Sequence, residues 1–292
     1  MIDCYRSMIT LIAESKTMRD GGMPVSHELF EKHKPAGEHV ADEIMHRLAL
    51  MPVQEIAAVI KISPAMASKV LRMAYEFPNK LIGLRAVEAF TGVVFKALDY
   101  DTLTEDDKTY ASGKVRIISS LYGWLRPDDL IKTYRTDFTT RIAPDSSPAG
   151  NISTASLVSG NKTLAEYWRK DVTIALVQEL QRTGETDILD LMPGDAAKCI
   201  DWKLVKRFAK VWKVDFKDDG QISDLSVPGS RSSGLPKLRT PHANKLKTLR
   251  GELLRTIITS RLDSPSSLLT LETDSLLPLA TPDYPDHIAF CV

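Results

Sequence analysis

The order of apolar and amphipathic segments is the feature that most limits what this chain can fold into. Residues 8–13, MITLIA, form a short apolar run typical of a buried strand, and strand patterns recur at 186–193 and 208–220. Amphipathic helical periodicity lies between them, most clearly in 38–50 and 162–184. Strands alternating with helices in this way predict a mixed α+β or α/β fold in a single domain.

Capping residues mark the ends of several predicted helices. Ser63-Pro64 is a cap followed by proline in the first turn, and Thr104 precedes three acids that suit a helix N-terminus. Gly184 ends the helix over 162–184. The remaining expectations are helices over 53–60, 63–77, 103–112 and 242–262, an apolar segment over 86–98 broken by Gly92, surface loops over 142–161 and 226–245, and an edge strand over 287–292.

Charge and cysteine content narrow the class of protein. The 292 residues include 38 Lys and Arg against 38 Asp and Glu, so binding to nucleic acid or anionic lipid would need a local basic patch. The sequence has no run of about 18 apolar residues that would span a membrane, and its N-terminus is no secretory signal. Cys4, Cys199 and Cys291 lack metal-binding spacing, which predicts free thiols in a cytoplasmic protein.

The segment 114–138, KVRIISSLYGWLRPDDLIKTYRTDF, concentrates aromatic and charged residues behind one apolar strand. Pro127 is suited to the first turn of a helix, which would place Asp128 and Asp129 at that helix's N-terminus. The other side chains fit two interpretations, core rings beside solvated arginines or a binding edge for a polyanion. They are Trp124, Arg126, Tyr134 and Arg135.

Two further regions carry cations that could bind phosphate. In the helix over 242–262, Arg250 and Arg261 are eleven residues apart and project in nearly the same direction beside an apolar stripe. Their guanidinium groups either lie in solvent above packed stems or form forked hydrogen bonds with phosphate. Lys16 follows the first strand, and clefts of α/β sheets lie at strand ends.

For two other candidate binding sites, ordinary surface structure is the favoured interpretation. His39, Glu43 and His46 have a spacing that could hold a metal, but the apolar side chains of that helix lie opposite, which favours a solvated face and no metal. The loop GSRSSG, 229–234, could cradle phosphate through backbone N–H groups but lacks the pattern of a nucleotide-binding P-loop. A flexible surface loop is the favoured interpretation.

The segment 90–138 resembles the signature region of the YaaA family of peroxide stress proteins. The family pattern there includes F-x-G-D-V-Y-x-G-L and L-R-I-L-S-G-L-Y-G-x-L-R-P-L-D-L-x-x-P-Y-R. Three shorter blocks agree in order, so the resemblance covers about residues 8–262. They are MITLIAESKT, KTLAEYWRKDVTIAL and KTLRGELLRTIITSRL, and the last keeps Lys247, Arg250, Gly251, Arg255 and Arg261.

The chain departs from the family pattern at several places. Glu14 and Ser15 stand where the family has Pro and Ala, and Val93 and Phe95 stand where it has Asp and Tyr. The second pair removes a carboxylate and a hydroxyl, so any chemical role of that Asp is in doubt here. Within one domain of 1–292, we expect 1–7 to be an N-terminal extension, 226–241 an inserted loop and 263–292 a divergent tail.

The resemblance implies a single mixed α/β domain in which helices surround a mixed sheet, with a helix-hairpin-helix-like element and a basic cleft. It implies a role in peroxide tolerance that limits free iron and the damage it drives, and binding of duplex or branched DNA. The segment LYGWLRP offers one glycine for such a hairpin. Carried over by position, the cleft residues are Lys16, Arg126, Arg135, Lys247, Arg250 and Arg255, and Tyr134 completes the predicted phosphate-binding set.

These observations leave three hypotheses. The leading one is a cofactor-free stress protein, without assigned catalysis, that binds DNA through the basic cleft with low specificity. The alternative is an enzyme acting on a nucleotide or modified base in the same cleft, with Lys16 or Tyr134 as acid or base and a phosphate-bearing small molecule as partner. The third is sequestration of iron by the histidines of the helix over 38–50.

Overall fold

Parallel strands form the centre of the fold. The computed structural model describes residues 7–79, 82–142, 162–218, 239–273, 275–279 and 286–292. The strands are β1 Met8–Ala13, β2 Met23–Pro24, β3 Ile82–Arg85, β4 Val115–Ser119, β5 Gly123–Leu125, β6 Leu130–Ile131, β7 Asp187–Asp190, β8 Lys210–Lys217, β9 Leu277–Pro278 and β10 His287–Cys291. The helices are α1 His27–Lys32, α2 Glu38–Ala49, α3 Val53–Ile60, α4 Pro64–Glu76, α5 Ala86–Ala89, α6 Val93–Leu98, α7 Glu105–Lys114, α8 Leu164–Thr183, α9 Gly194–Ala197, α10 Trp202–Val205, α11 Ala243–Thr259 and α12 Pro265–Leu268.

The main sheet confirms the predicted mixed α/β fold in a single domain. Within the described ranges its seven strands lie in the order β5-β4-β1-β7-β8-β10-β9. The inner strands are parallel, and β5 and β9 pair antiparallel at the two edges. The six residues of β1 are buried because the strand pairs on both sides, with β4 and with β7. A smaller sheet has the order β2-β3-β6.

The predicted helices over 38–50, 53–60, 63–77, 103–112, 162–184 and 242–262 are confirmed, as are the caps at Ser63, Thr104 and Gly184. Thr104 forms a reciprocal capping box with Asp107 at the start of α7, and Gly184 ends α8 in the left-handed conformation at φ 76°. Gly92 separates α5 from α6 as expected. Most of the predicted loops and of the N-terminal extension lies outside the described residues, in 1–6, 143–161 and 219–238. In the described part of the chain, every helix is too short or too polar to cross a membrane.

The strand predicted at the C-terminal edge lies inside the sheet instead. β10 pairs in parallel with β8 on one side, and on the other side Phe290 and Cys291 pair antiparallel with Pro278 and Leu277. The prediction of an edge strand was wrong because a two-residue strand that carries a proline covers this side. Proline is tolerated there since an edge strand leaves one side of its backbone unpaired.

The helix predicted to start at Pro127 is absent, and a turn between β5 and β6 takes its place. The Asp129 carboxylate accepts a hydrogen bond from the Arg126 backbone N–H at 2.8 Å, which closes the turn. Burial raises the pKa of Asp129 to about 7, and the Asp128 carboxylate lies 3.2 Å from the His33 imidazole. The prediction was wrong because both acids have partners in a turn and neither meets a helix N-terminus.

LYGWLRP does not form a hairpin between two helices, whereas α3 and α4 are two consecutive helices joined by a short connection. Lys61, Ile62 and Ser63 join the two helices, and Lys61 adopts the left-handed conformation at φ 61°. The Ser63 Oγ atom caps α4 by accepting a hydrogen bond from the Met66 backbone N–H at 3.3 Å. The residues of LYGWLRP form the turn after β4 and strand β5.

The close packing of α11 on α6 depends on Gly251. A Cβ atom at this position would lie 2.3 Å from the Val94 carbonyl oxygen and 2.6 Å from the Ala97 Cβ atom. The neighbouring Arg250 is placed by this contact, because α11 cannot approach α6 as closely with any other residue. Gly113, in α7, has no atom within 4 Å of its own Cβ position.

We expect Gly251→Ala to lower the free energy of unfolding by about 1–3 kcal/mol, because the added methyl group overpacks the α6–α11 contact. The matched variant Gly113→Ala should instead raise it by about 0.5–1 kcal/mol, since an open helical position gains from alanine. Urea unfolding measures both. Equal effects of the two substitutions would contradict the described contact.

Candidate functional site

The carboxyl ends of the parallel strands are the natural position for a binding crevice in this fold. After β1, the chain adds β4 on one side of it and later β7 on the other, so the winding reverses at β1. Loops that leave neighbouring strands in opposite directions at such a point open a crevice. Glu14, Ser15 and Lys16 follow β1 directly and enter this region.

Glu14 is the centre of a partly buried hydrogen-bond cluster at the end of β1. Its carboxylate accepts hydrogen bonds from the Ser120 backbone N–H at 2.9 Å, the Ser120 hydroxyl at 2.5 Å and the Tyr134 hydroxyl. The Tyr134 hydroxyl also lies 2.8 Å from the Ser119 Oγ atom. Burial raises the pKa of Glu14 despite these hydrogen bonds, and burial with the nearby Glu14 charge raises that of Tyr134. The predicted site residue Tyr134 therefore has its hydroxyl occupied inside the protein.

Lys16 and Arg135 lie together above this cluster. The Lys16 ammonium pairs with the Asp137 carboxylate, and the Arg135 guanidinium donates a hydrogen bond to the Lys16 carbonyl at 2.6 Å. Burial alone would raise the pKa of Asp137, but hydrogen bonds from Lys16 and Thr139 outweigh it and lower the pKa. Asp137 thus pairs with one of the two cations, Lys16, although the Lys16 side chain is 65% exposed.

Arg250 is the predicted cation with the most unused hydrogen-bonding capacity. It is half-buried in α11 and forms no hydrogen bond with any residue that the structure describes. Burial lowers its pKa, and the nearby Asp190 charge opposes this. Asp190 ends β7, and burial raises its pKa against the attraction of Lys213 and Arg250. A half-buried guanidinium with free donors at strand ends suits an anionic ligand.

The other cations of α11 differ in what they contact. Lys247 is exposed, without an ion pair in the described part of the chain. The Arg255 guanidinium donates hydrogen bonds to the carbonyls of Leu98 and Asp99, both at 2.8 Å, and to the Thr102 hydroxyl at 2.9 Å. Arg255 therefore holds the turn after α6. Arg261 similarly donates to the Asp107 carboxylate at 2.7 Å.

Arg126 lies near the amino end of β4, whereas Lys16 follows the carboxyl end of β1. β5 runs antiparallel to β4, so the residue after Leu125 is level with the start of β4. Its guanidinium is 3.9 Å from the Glu179 carboxylate, which also pairs with the buried Arg116. The structure thus groups Lys16, Tyr134 and Arg135, places Arg250 near Asp190 at the end of β7, and separates Arg126 from the first three.

Two partly buried acids at strand ends, Glu14 and Asp190, were not predicted from the sequence. Glu14 was identified only as a departure from the family pattern, and Asp190 was taken as part of a strand. The signal for both was an acid at or directly after the end of a parallel strand. The family Asp and Tyr positions are filled by Val93, the first residue of α6, and by buried Phe95, whose ring centroid lies 5.1 Å from that of Phe90.

The exposed positions of His39, Glu43 and His46 confirm the prediction of a solvated helix face. Over the residues that the structure describes, no cluster of three or more His, Cys, Asp or Glu side chains could hold a metal ion. Iron sequestration by this helix consequently has no geometric support in the described part of the chain.

Comparison with known proteins extends the sequence resemblance to nearly the full chain. The family model described as "Peroxide stress protein YaaA" matches residues 8–277. A UPF0246 protein of Parabacteroides distasonis is 27% identical over 264 residues, covering 89% of this chain and 90% of that protein. A UPF0246 protein of Francisella tularensis subsp. novicida is 26% identical over 288 residues, covering 97% and 99%.

We expect Glu14→Gln to change how stability depends on pH. A folded-state pKa above the usual 4.5 means that Glu14 contributes its full stability below pH 4.5 and loses it as the pH rises. The variant cannot ionise, so its free energy of unfolding should increase relative to the wild type from pH 4.5 towards neutrality. Urea unfolding at several pH values measures the difference.

Glu166→Gln is the matched control for this measurement. Hydrogen bonds from Thr163 in the capping box lower the pKa of Glu166, so its contribution is present above pH 4.5 and is lost in acid. The free energy of unfolding of Glu166→Gln should therefore fall relative to that of the wild type as the pH rises. The same slope in both variants would contradict the partly buried position of Glu14.

Proposed function

The chain belongs to the YaaA family of peroxide stress proteins, and on this basis we propose that it binds duplex or branched DNA with low sequence specificity and so helps to limit iron-driven damage. The observation that carries the proposal is the exposed hairpin between α3 and α4. Its backbone donors, its charge and its position at a helix N-terminus each favour phosphate.

Two backbone donors of the hairpin are free to bind phosphate. The N–H groups of Ser63 and Ala65 form no hydrogen bond with any residue in the described ranges. They lie at the N-terminus of the 13-residue helix α4, where the helix dipole favours negative charge. Proteins use such N–H groups to bind the DNA backbone without sequence specificity. This arrangement supports contact with DNA through the hairpin.

Exposed cations flank these donors and extend the positive surface. Lys61 lies in the hairpin, and Lys69 and Arg72 follow on α4. None of the three has an ion pair with a described residue, so their charges are available to phosphate. Lys247 and Arg250 on α11 supply a second cationic region. Because the whole chain carries no net charge, such local groups would account for binding.

We expect affinity for duplex DNA to fall about a hundredfold between about 50 mM and about 200 mM salt, as for a protein that contacts roughly four phosphates. Fluorescence anisotropy with a labelled duplex and a four-way junction measures this dependence. Absence of binding at the lower salt concentration, or binding that is indifferent to salt, would refute the proposal.

Ser63→Asp tests the hairpin without disturbing the fold. Aspartate is as good an N-cap as serine and its charge suits the helix N-terminus, so the melting temperature should hold or rise. The same carboxylate would repel a DNA phosphate at the free N–H groups, and we expect about tenfold weaker binding at low salt. Anisotropy and thermal unfolding give the two readouts.

The control is Ser26→Asp, the same substitution at the N-cap of α1, where the Ser26 side chain accepts a hydrogen bond from the Leu29 backbone N–H. This variant adds the same charge away from the hairpin and should leave DNA affinity within about twofold of the wild type. Equal losses in both variants would show that the hairpin is not the contact.

A further inference from the structure

A cavity of about 510 Å³ lies beside α4. Its walls are α4, the loop 20–22 that precedes β2, and residues 132–133 that follow β6. The volume is within the range of pockets that hold small molecules. None of the seven residues predicted from the sequence lines it, but it shares Lys69 and Arg72 with the cationic surface beside the α3–α4 hairpin.

The loop that forms one wall is fixed in place by specific contacts. The Thr133 hydroxyl is 2.9 Å from the Arg19 carbonyl and 3.3 Å from the Gly21 carbonyl, and donates to both. Gly21 has a φ of 72°, which favours glycine, and a Cβ atom on Gly22 would lie 2.3 Å from the Ile82 side chain. The wall is therefore preformed, which lowers the entropic cost of binding a ligand.

Positive charge predominates in the lining. Lys69 and Arg72 are three residues apart on α4, which places them on one face, and neither forms an ion pair or hydrogen bond with a described residue. Lys132 is buried deeper, with its ammonium 4.6 Å from the centroid of the Phe77 ring. The carboxylates of Asp20 and Glu76 complete the charged lining. Two unpaired cations in a concave site favour an anionic ligand.

We propose that this cavity binds a nucleoside monophosphate. Lys69 and Arg72 would bind the phosphate, since a guanidinium and an ammonium together match a dianion. Met73 and Ile82 supply apolar surface for the base, and Asp20 and Asn79 supply hydrogen-bonding groups for its polar edge or for the ribose hydroxyls. The proposal does not depend on DNA binding.

Isothermal titration calorimetry of the full chain with AMP, GMP, CMP and UMP tests the site. We expect at least one of them to bind at submillimolar concentration, and both its nucleoside and inorganic phosphate to bind about tenfold more weakly or worse. Lys69→Ala/Arg72→Ala should weaken the binding by about tenfold or more. Met73→Trp, which narrows the cavity and keeps every charge, should weaken it as well.

Two controls locate the binding. Lys203→Ala/Arg207→Ala removes an exposed lysine and arginine on and after α10, remote in sequence from the cavity, and should leave affinity unchanged. Arg250→Ala should also leave it unchanged, because Arg250 belongs to the other crevice. The proposal is overturned if no monophosphate binds at millimolar concentration, if phosphate alone binds as tightly, or if only Arg250→Ala abolishes binding. Ser63→Asp keeps both Lys69 and Arg72. A loss of DNA binding in that variant therefore does not bear on whether the cavity binds a monophosphate.

Discussion

The parallel pairing of β1 with both β4 and β7 is the interaction on which the rest of the structure depends. It buries six consecutive residues and sends the chain out of the sheet where the winding reverses. The end of β1 sets the positions of Glu14, Ser15 and Lys16, which follow it directly. Glu14 turns inward to Ser120 and Tyr134, Lys16 continues outward, and Ser15 lies so close to Gly92 that a side chain there would collide with it. That contact sets where α6 begins, and α6 in turn receives α11.

Helices could be predicted from the sequence because their signals are local. Periodicity and caps within a few residues fixed α2, α4, α7 and α8. Errors arose where a distant partner decides the structure. β10 looks like an edge strand until Leu277–Pro278 pairs with it. Pro127 resembles a helix start, but the backbone after it bonds to the first residue of α5, where the Ala86 N–H donates to the Asp129 carbonyl.

The candidate cations show even more clearly that contacts with remote partners cannot be predicted from local sequence. Arg250 and Arg255 lie five residues apart on one helix, and composition cannot distinguish them. Arg255 donates to the carbonyls of Leu98 and Asp99 at the left-handed turn that ends α6. Arg250 instead faces Asp190, and its donors stay free. The partners are remote in the sequence, so their identity depends on the packing of α11 against α6 and the sheet. Both residues were chosen as candidates from the family resemblance. In the structure, Arg255 is hydrogen-bonded within the protein, whereas Arg250 has no hydrogen bond with a described residue.

Lys61 shows that a surface charge can be retained against conformational preference. A lysine in the left-handed region costs about 1 kcal/mol compared with glycine, and glycine is the residue most often found at such a helix end. Glycine at this position would relax the backbone, but it would also remove the positive charge that lies between α3 and α4. Stability and surface charge therefore cannot both be improved by a change at residue 61 alone.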